Sequence, residues 1–168
     1  MVIAIISDIH DNLLNLKKCL DICLKNKITK LICCGDVGNL DTLKYISTNF
    51  LGEIFLIDGN AETYSSDEIK KFTNINYQGL IGYTKIDNFN IGFCHKSIDI
   101  EKVKKNSDVR LDYIFYGHSH KPWLEKQDNI MIVNPGNIAG IFYQATFTLF
   151  DTQSKNLKLQ IINSRDNI

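Results

Sequence analysis

The sequence predicts an α/β protein in which two β-sheets pack face to face as a sandwich flanked by helices. Two observations carry this reading. The first half of the chain alternates apolar runs of strand length with segments of helical period. The second half reads as short strands separated by turns rich in Asn, Asp and Gly.

Residues 2–7 are a continuous apolar run, as expected of a parallel strand covered on both faces. Residues 12–26 repeat Leu13, Leu16, Leu20, Cys23 and Leu24 at helical spacing. Residues 30–34 form a second strand, and residues 39–49 a helix with Leu40, Leu43 and Ile46 on one side. Residues 53–57 form a third strand. This β-α-β-α-β rhythm predicts a parallel sheet with right-handed crossovers. Residues 80–86 and 89–94 read as a hairpin around Asp87-Asn88, residues 98–107 as a modest helix, and residues 112–116 as another apolar strand. Short strands follow at 121–126, 129–133, 142–150 and 157–163. Turns at Gln127-Asp128-Asn129, at Asn134-Pro135-Gly136-Asn137 and over residues 151–156 separate them. A length of 168 residues, with no repeat and no linker, suits one domain over residues 1–168.

Lys plus Arg and Asp plus Glu both number 19, so the formal net charge is zero. That balance argues against a protein living on nucleic-acid backbone contacts. The small groups Lys25, Lys27, Lys30 and Lys102, Lys104, Lys105 read as solvated faces. No apolar run is long enough to span a bilayer. The N-terminal run leads straight into Ser7-Asp8 without a basic leader, so it reads as a strand and not a signal peptide. Of the five cysteines, Cys33 and Cys34 are adjacent and would point to opposite faces of a strand. A reduced, cytoplasmic protein follows, with Cys19, Cys23, Cys34 and Cys94 as core residues.

All four histidines sit in short polar motifs: Asp8-Ile9-His10, Cys94-His95 and Gly117-His118-Ser119-His120. Gly35-Asp36 and Gly59-Asn60 add two more. Each motif falls at the carboxyl end of an expected strand, where open α/β sheets build their sites. In an extended strand positions i and i+2 point the same way, so Asp8 and His10 can reach one ion. His118 and His120 repeat that spacing. Gly35 and Gly59 let the chain turn sharply before Asp36 and Asn60. Seven nitrogen and oxygen donors suffice for two cations and point to a metal-dependent hydrolase. Imidazole, carboxylate and amide donors without a thiolate suit divalent Mn, Fe, Co, Ni or Zn, with Mn expected first.

In order, these residues resemble the D-x-H, GD, GN, H and GHxH motifs of the calcineurin-like metallophosphoesterase family, over Ser7 to Asn137. The compact length and the Asn134-Pro135-Gly136 turn resemble its small prokaryotic phosphodiesterase branch. The resemblance implies a four-layer αββα fold. It implies one divalent ion held by Asp8, His10, Asp36 and His120, and a second held by Asp36, Asn60, His95 and His118. Asp36 would bridge both, and Asp36, Asn60 and His118 would act at the reacting phosphate. The implied mechanism is in-line attack on phosphorus by a hydroxide shared by the two ions. Many relatives continue GN with a histidine that protonates the leaving group. Here Ala61 stands there, which lowers the expectation for poor leaving groups, since such help is worth roughly 10²–10⁴-fold.

Asn12, Asn39 and Lys96 are candidates for orienting ligands or meeting a substrate phosphate, and Asp11 for orienting ligands. Helix capping is the plainer reading of Asp11 and Asn12. Trp123 and Tyr143 are either pocket-lining residues or core. The expected activity is hydrolysis of small phosphodiesters, with no membrane partner and a homo-oligomer left open. Two alternatives stand beside it: a phosphomonoesterase or protein phosphatase on the same site, and a metal-poor scaffold like the eukaryotic retromer subunit that resembles this fold. The filled ligand set favours the enzyme.

Overall fold

In the computed structural model, which describes residues 1–162, strand β1 (Val2–Ile6) lies inside the larger sheet and explains its own apolar run. Ile3 and Ile5 point into the layer between the sheets, whereas Ala4 and Ile6 point toward helices. All four are fully buried, so both faces of the strand must be apolar. Beside β1 run β2 (Lys30–Cys33), β3 (Glu53–Leu56) and β4 (Ile75–Tyr77), all parallel. On its other side β10 (Thr146–Asp151) and β11 (Asn156–Ile161) continue the sheet antiparallel. The order is β11-β10-β1-β2-β3-β4.

The second sheet holds β5 (Ile81–Ile86), β6 (Phe89–Cys94), β7 (Tyr113–Phe115), β8 (Trp123–Gln127) and β9 (Ile130–Asn134), in the order β5-β6-β7-β9-β8. β6, β7 and β9 are parallel, and β5 and β8 close the edges antiparallel. Helices α1 (Leu13–Lys25) and α2 (Leu40–Asn49) cover the outer face of the first sheet, with Leu16, Cys19, Leu20, Cys23, Leu43 and Ile46 in its core. Helix α4 (Ile100–Asn106) covers the second sheet through Ile100 and Val103. The result is the four-layer arrangement helix, sheet, sheet, helix. Phe55, Phe93, Phe115 and Phe150 fill the layer between the sheets. Truncating one such ring to Ala costs about 3–5 kcal/mol.

Several expectations need correction. Leu13 and Leu24 are exposed at the flanks of α1. Strand β10 begins at Thr146, so residues 142–145 are loop, and β8 begins at Trp123. Helix α3 (Ser66–Ile69) and strand β4 were not expected, both being too short to show a period. Trp123 and Tyr143, 48% and 46% exposed, are not core. The expected strand end at 163 lies outside the described residues. All five cysteines are free and buried, and burial pushes the Cys33 thiol up to about 12. Among the described residues no helix is long and apolar enough to cross a membrane.

Candidate metal centre

Five loops meet where β1, β2, β3, β6 and β7 end, and their backbones are unusual. Twelve described non-glycine residues have positive φ, and six of them are Asp8, His10, Asp11, Asp36, His118 and His120. Asp and His tolerate this left-handed region better than most residues, and such conformations persist where surroundings over-determine them. The expected strand alternation therefore does not bring Asp8 and His10 together, because β1 ends at Ile6 and a left-handed turn follows. That turn is pinned by its neighbour: Asp8 donates to the Gly35 carbonyl, and Ile9 and His10 donate to that of Asp36. Two motif glycines are required by close approach. A Cβ on Gly59 would lie 2.1 Å from Asp36 Oδ1, and one on Gly117 would lie 1.8 Å from Ser7 Oγ.

The donors fall into two groups, Asp8 with His10 and His120, and Asp36 with His95 and His118. In the first, His10 Nε2 and His120 Nε2 are 3.2 Å apart, and Asp8 Oδ1 is 3.3 Å from His120 Nε2 and 3.9 Å from that of His10. In the second, His95 Nε2 is 3.3 Å from Asp36 Oδ2. His10 Nε2 lies 3.5 Å from the same Asp36 oxygen, so Asp36 joins the groups. His118 and His120, two residues apart, thus serve different groups. Each group draws on both sheets.

A divalent cation fits this donor set. His95 Nδ1 faces the Cys34 carbonyl at 2.8 Å, which turns the Nε2 lone pair toward Asp36. That Nε2 is buried without a hydrogen-bond partner. A lone pair and a carboxylate oxygen share such a space only with a cation between them, a proton or a metal ion. Two nitrogens bound tetrahedrally at about 2.0–2.1 Å sit roughly 3.4 Å apart, close to the spacing of His10 and His120. The rings are held from behind, His120 Nδ1 against the Ile141 carbonyl at 3.3 Å, as ligating histidines commonly are.

The two carboxylates differ. Burial pushes Asp8 up, and its hydrogen bond to Ser7 and the nearby His95 and His120 offset this only in part. Burial pushes Asp36 up as well, but the His95 ring beside it and the amides of Asn60 and Ala61 outweigh burial and hold it at about 2. Those amides donate to Asp36 Oδ1 at 2.5 and 2.9 Å. Both Asp8 oxygens receive the His118 amide, at 3.1 and 3.0 Å. Burial, with the charges of His95 and Lys96, pushes His118 down.

The remaining expected residues divide. Asn60 is exposed, with Nδ2 3.4 Å from Asp36 Oδ2, and a half-turn of its amide presents the oxygen instead. Asn39 caps α2 by accepting from Thr42, and Asn12 caps α1 by accepting from Asn15. Asn12 also donates to the Ala139 carbonyl at 2.8 Å. Asp11 ties the loop to α2, accepting from the Asn39 amide and the Thr42 hydroxyl. Lys96 lines a cleft of about 210 Å³ beside His95, with Lys102, Asp58 and Asp99.

Three braces escaped the sequence reading. Glu62 accepts from the Val37 and Gly59 amides and clamps two motif loops together. Buried Asn134 donates to the Gly117 carbonyl at 2.8 Å and to Ser119 Oγ at 3.1 Å. Buried Asn137 donates to the His120 carbonyl at 3.0 Å and accepts from the Ile141 amide. The available signal was two asparagines three apart directly after an apolar strand.

Residues 1–155 match the profile of the calcineurin-like phosphoesterase superfamily domain. The chain belongs to that superfamily. It is therefore a hydrolase of phosphoric esters, and its fold is the expected one. It is 28% identical over 164 residues to a phosphodiesterase of Methanocaldococcus jannaschii, covering 94% of this chain and 97% of that protein. A solved archaeal phosphodiesterase shares the fold at TM-score 0.84 and 24% identity, over 96% of this chain and 99% of that one. YfcE, a phosphoesterase of E. coli, does so at 0.68 and 18%, over 97% and 100%. Vps29 of Entamoeba histolytica, solved with zinc, does so at 0.70 and 16%, over 97% and 100%.

Proposed function

We propose that this phosphoesterase is a phosphodiesterase acting on small phosphodiesters with two divalent ions. The observation that carries the reading is the meeting of the two donor groups at Asp36, with Ala61 beside them in place of a proton-donating side chain. Asp8, His10, Asp36 and His120 would hold one ion, and Asp36, Asn60, His95 and His118 the other. Mn is the first candidate, with Ni, Co, Fe and Zn behind it. When bound, the ions supply Lewis-acid polarisation of phosphoryl oxygen and activation of water.

The chain's own residues set the limits of that chemistry. Asp36 is anionic before any substrate arrives, because two amides and His95 stabilise its charge. His118 and Asn60 are exposed on the rim, where a phosphate would approach. Lys96 adds positive charge beside His95 and His118. Water adds to phosphorus as the ester P–O bond breaks, and Ala61 offers no proton to the departing alcohol. The site therefore favours esters whose alcohol leaves easily, as an activated diester does. Buried, unpaired thiols support a cytoplasmic setting, and the chain would work as one domain.

The test is a comparison of matched aryl diesters and monoesters with metal-free protein reloaded with Mn, Ni, Co or Zn. The expected result is turnover of the diester in preference to the monoester. A marked monoester preference would favour the phosphatase reading. Absence of turnover with every metal, together with less than one equivalent of metal bound, would favour a scaffold.

A further inference from the structure

The loop after β9 carries an exposed aromatic that nothing among the described residues covers. Its base is closed by Asn137 and Ala145. Its first residues are held against the metal centre: Ile138 and Ala139 donate to the Ser7 and Asp8 carbonyls, and Asn12 and Asn15 donate back to Ala139 and Ile138. Ile141 is held at both ends, its amide by Asn137 and its carbonyl by His120. The next residue, Phe142, is 89% exposed and has φ of 65°. A bulky residue there is a genuine outlier. Its ring centroid is 5.8 Å from that of His120, with the planes tilted by 49°. A rigid loop thus spends backbone strain to present an apolar face to solvent beside a cation-binding group.

We propose that Phe142, flanked by Tyr143, is a specificity-determining platform on which the nucleobase of a nucleotide phosphodiester stacks while the phosphate sits at the metal centre. This rests on the phosphodiesterase reading and names its substrate class. The platform spans Ile141 to Tyr143 and returns to buried residues at Ala139 and Ala145. That short apolar span suits a flat ring. Stacking is tolerant of base identity, since every base has a π-face, so Phe142 selects nucleotides as a class.

Two p-nitrophenyl diesters with the same leaving group decide the matter, one bearing thymidine through its 5′-oxygen and one bearing methyl. The metal-loaded wild-type protein should prefer the thymidine ester in kcat/KM by roughly 5- to 100-fold, the range that stacking supplies. Phe142→Ala should cut that preference below about twofold and leave the methyl ester rate unchanged, while Phe142→Trp keeps it. An undiminished preference in Phe142→Ala, or an equal loss on both esters, overturns the proposal. Calorimetry of adenosine monophosphate against inorganic phosphate reads the platform without turnover. The nucleotide should bind more tightly in the wild type and lose that advantage in Phe142→Ala, and an unchanged ratio is again fatal. If the wild type cleaves neither ester, the diesterase reading fails, and the binding ratio alone decides the platform.

Discussion

Asp8 and Asp36 are the same residue type, each beyond the end of one of two neighbouring strands, β1 and β2, both buried and both in left-handed backbone. Their carboxyls nevertheless move in opposite directions, Asp8 up and Asp36 down. The difference lies in what surrounds the charge. Asp36 receives two amides from the Gly59-Asn60-Ala61 segment and stands beside His95. Asp8 receives one amide, shared between its two oxygens, and has the Ser7 side chain and the imidazoles of its own group beside it. The surroundings of Asp36 favour its charge without metal, whereas burial disfavours the charge of Asp8. Two sites that look equivalent in a ligand list are built on different electrostatic footing.

The strongest way to break this comparison is to remove each carboxylate in turn. Asp36→Ala should lower bound metal below one equivalent and activity by about 10³-fold or more, because Asp36 contributes to both groups. Asp8→Ala should keep close to one equivalent, at the His95 and His118 side. Metal analysis with steady-state rates checks both, and full activity in Asp36→Ala would refute the bridging role.

A milder change sharpens it. Asn137→Ala removes the support of His120 and Ile141 without touching a ligand. Losses of supporting partners typically cost 10–100-fold in metal affinity. The loss should fall on the Asp8 group and spare the other, as competitive titration with a chelator would reveal. Equal weakening of both ions would mean that the GHxH loop moves as one body.

The smallest effect is read in metal-free protein. The depressed Asp36 contributes stability above its unfolded value near 3.8, and that contribution is lost as pH falls through about 2. Asp36→Asn should therefore destabilise the protein by about 2 kcal/mol at neutral pH, and by little near pH 2. Asp8 is raised, so its contribution is present below the unfolded value and is lost as pH rises through the folded one. Asp8→Asn should leave the neutral protein as stable as before or more so. Urea unfolding in excess chelator at several pH values measures both, and similar losses in the two variants would erase the distinction.

The chain displayed its ligands openly because each is a histidine or lies within two residues of a glycine or histidine at a strand end, and strand ends are set by local apolar runs. What it concealed was long-range. Asn134 and Asn137 read as turn formers, since their partners at Gly117, Ser119 and His120 are more than a dozen residues away. Glu62 reaches both Gly59, three residues away, and Val37, twenty-five away, and only the second contact is hidden from the sequence. Phe142-Tyr143 read as the start of a strand by composition, yet Phe142 adopts a left-handed backbone that a strand does not use. Asp8 and His10 were expected together for the wrong reason: the spacing was informative, but the geometry behind it is a turn.

Each donor group takes Asp8 with His10, or Asp36, from the loops of the first sheet and its remaining imidazoles from those of the second. An ion bound there would be a rivet through the sandwich. Binding to the folded chain alone would then raise its stability in proportion to the logarithm of free metal over the dissociation constant. Metal supply would govern how long each molecule survives proteolysis, so starvation would thin the population of this enzyme as well as silence it.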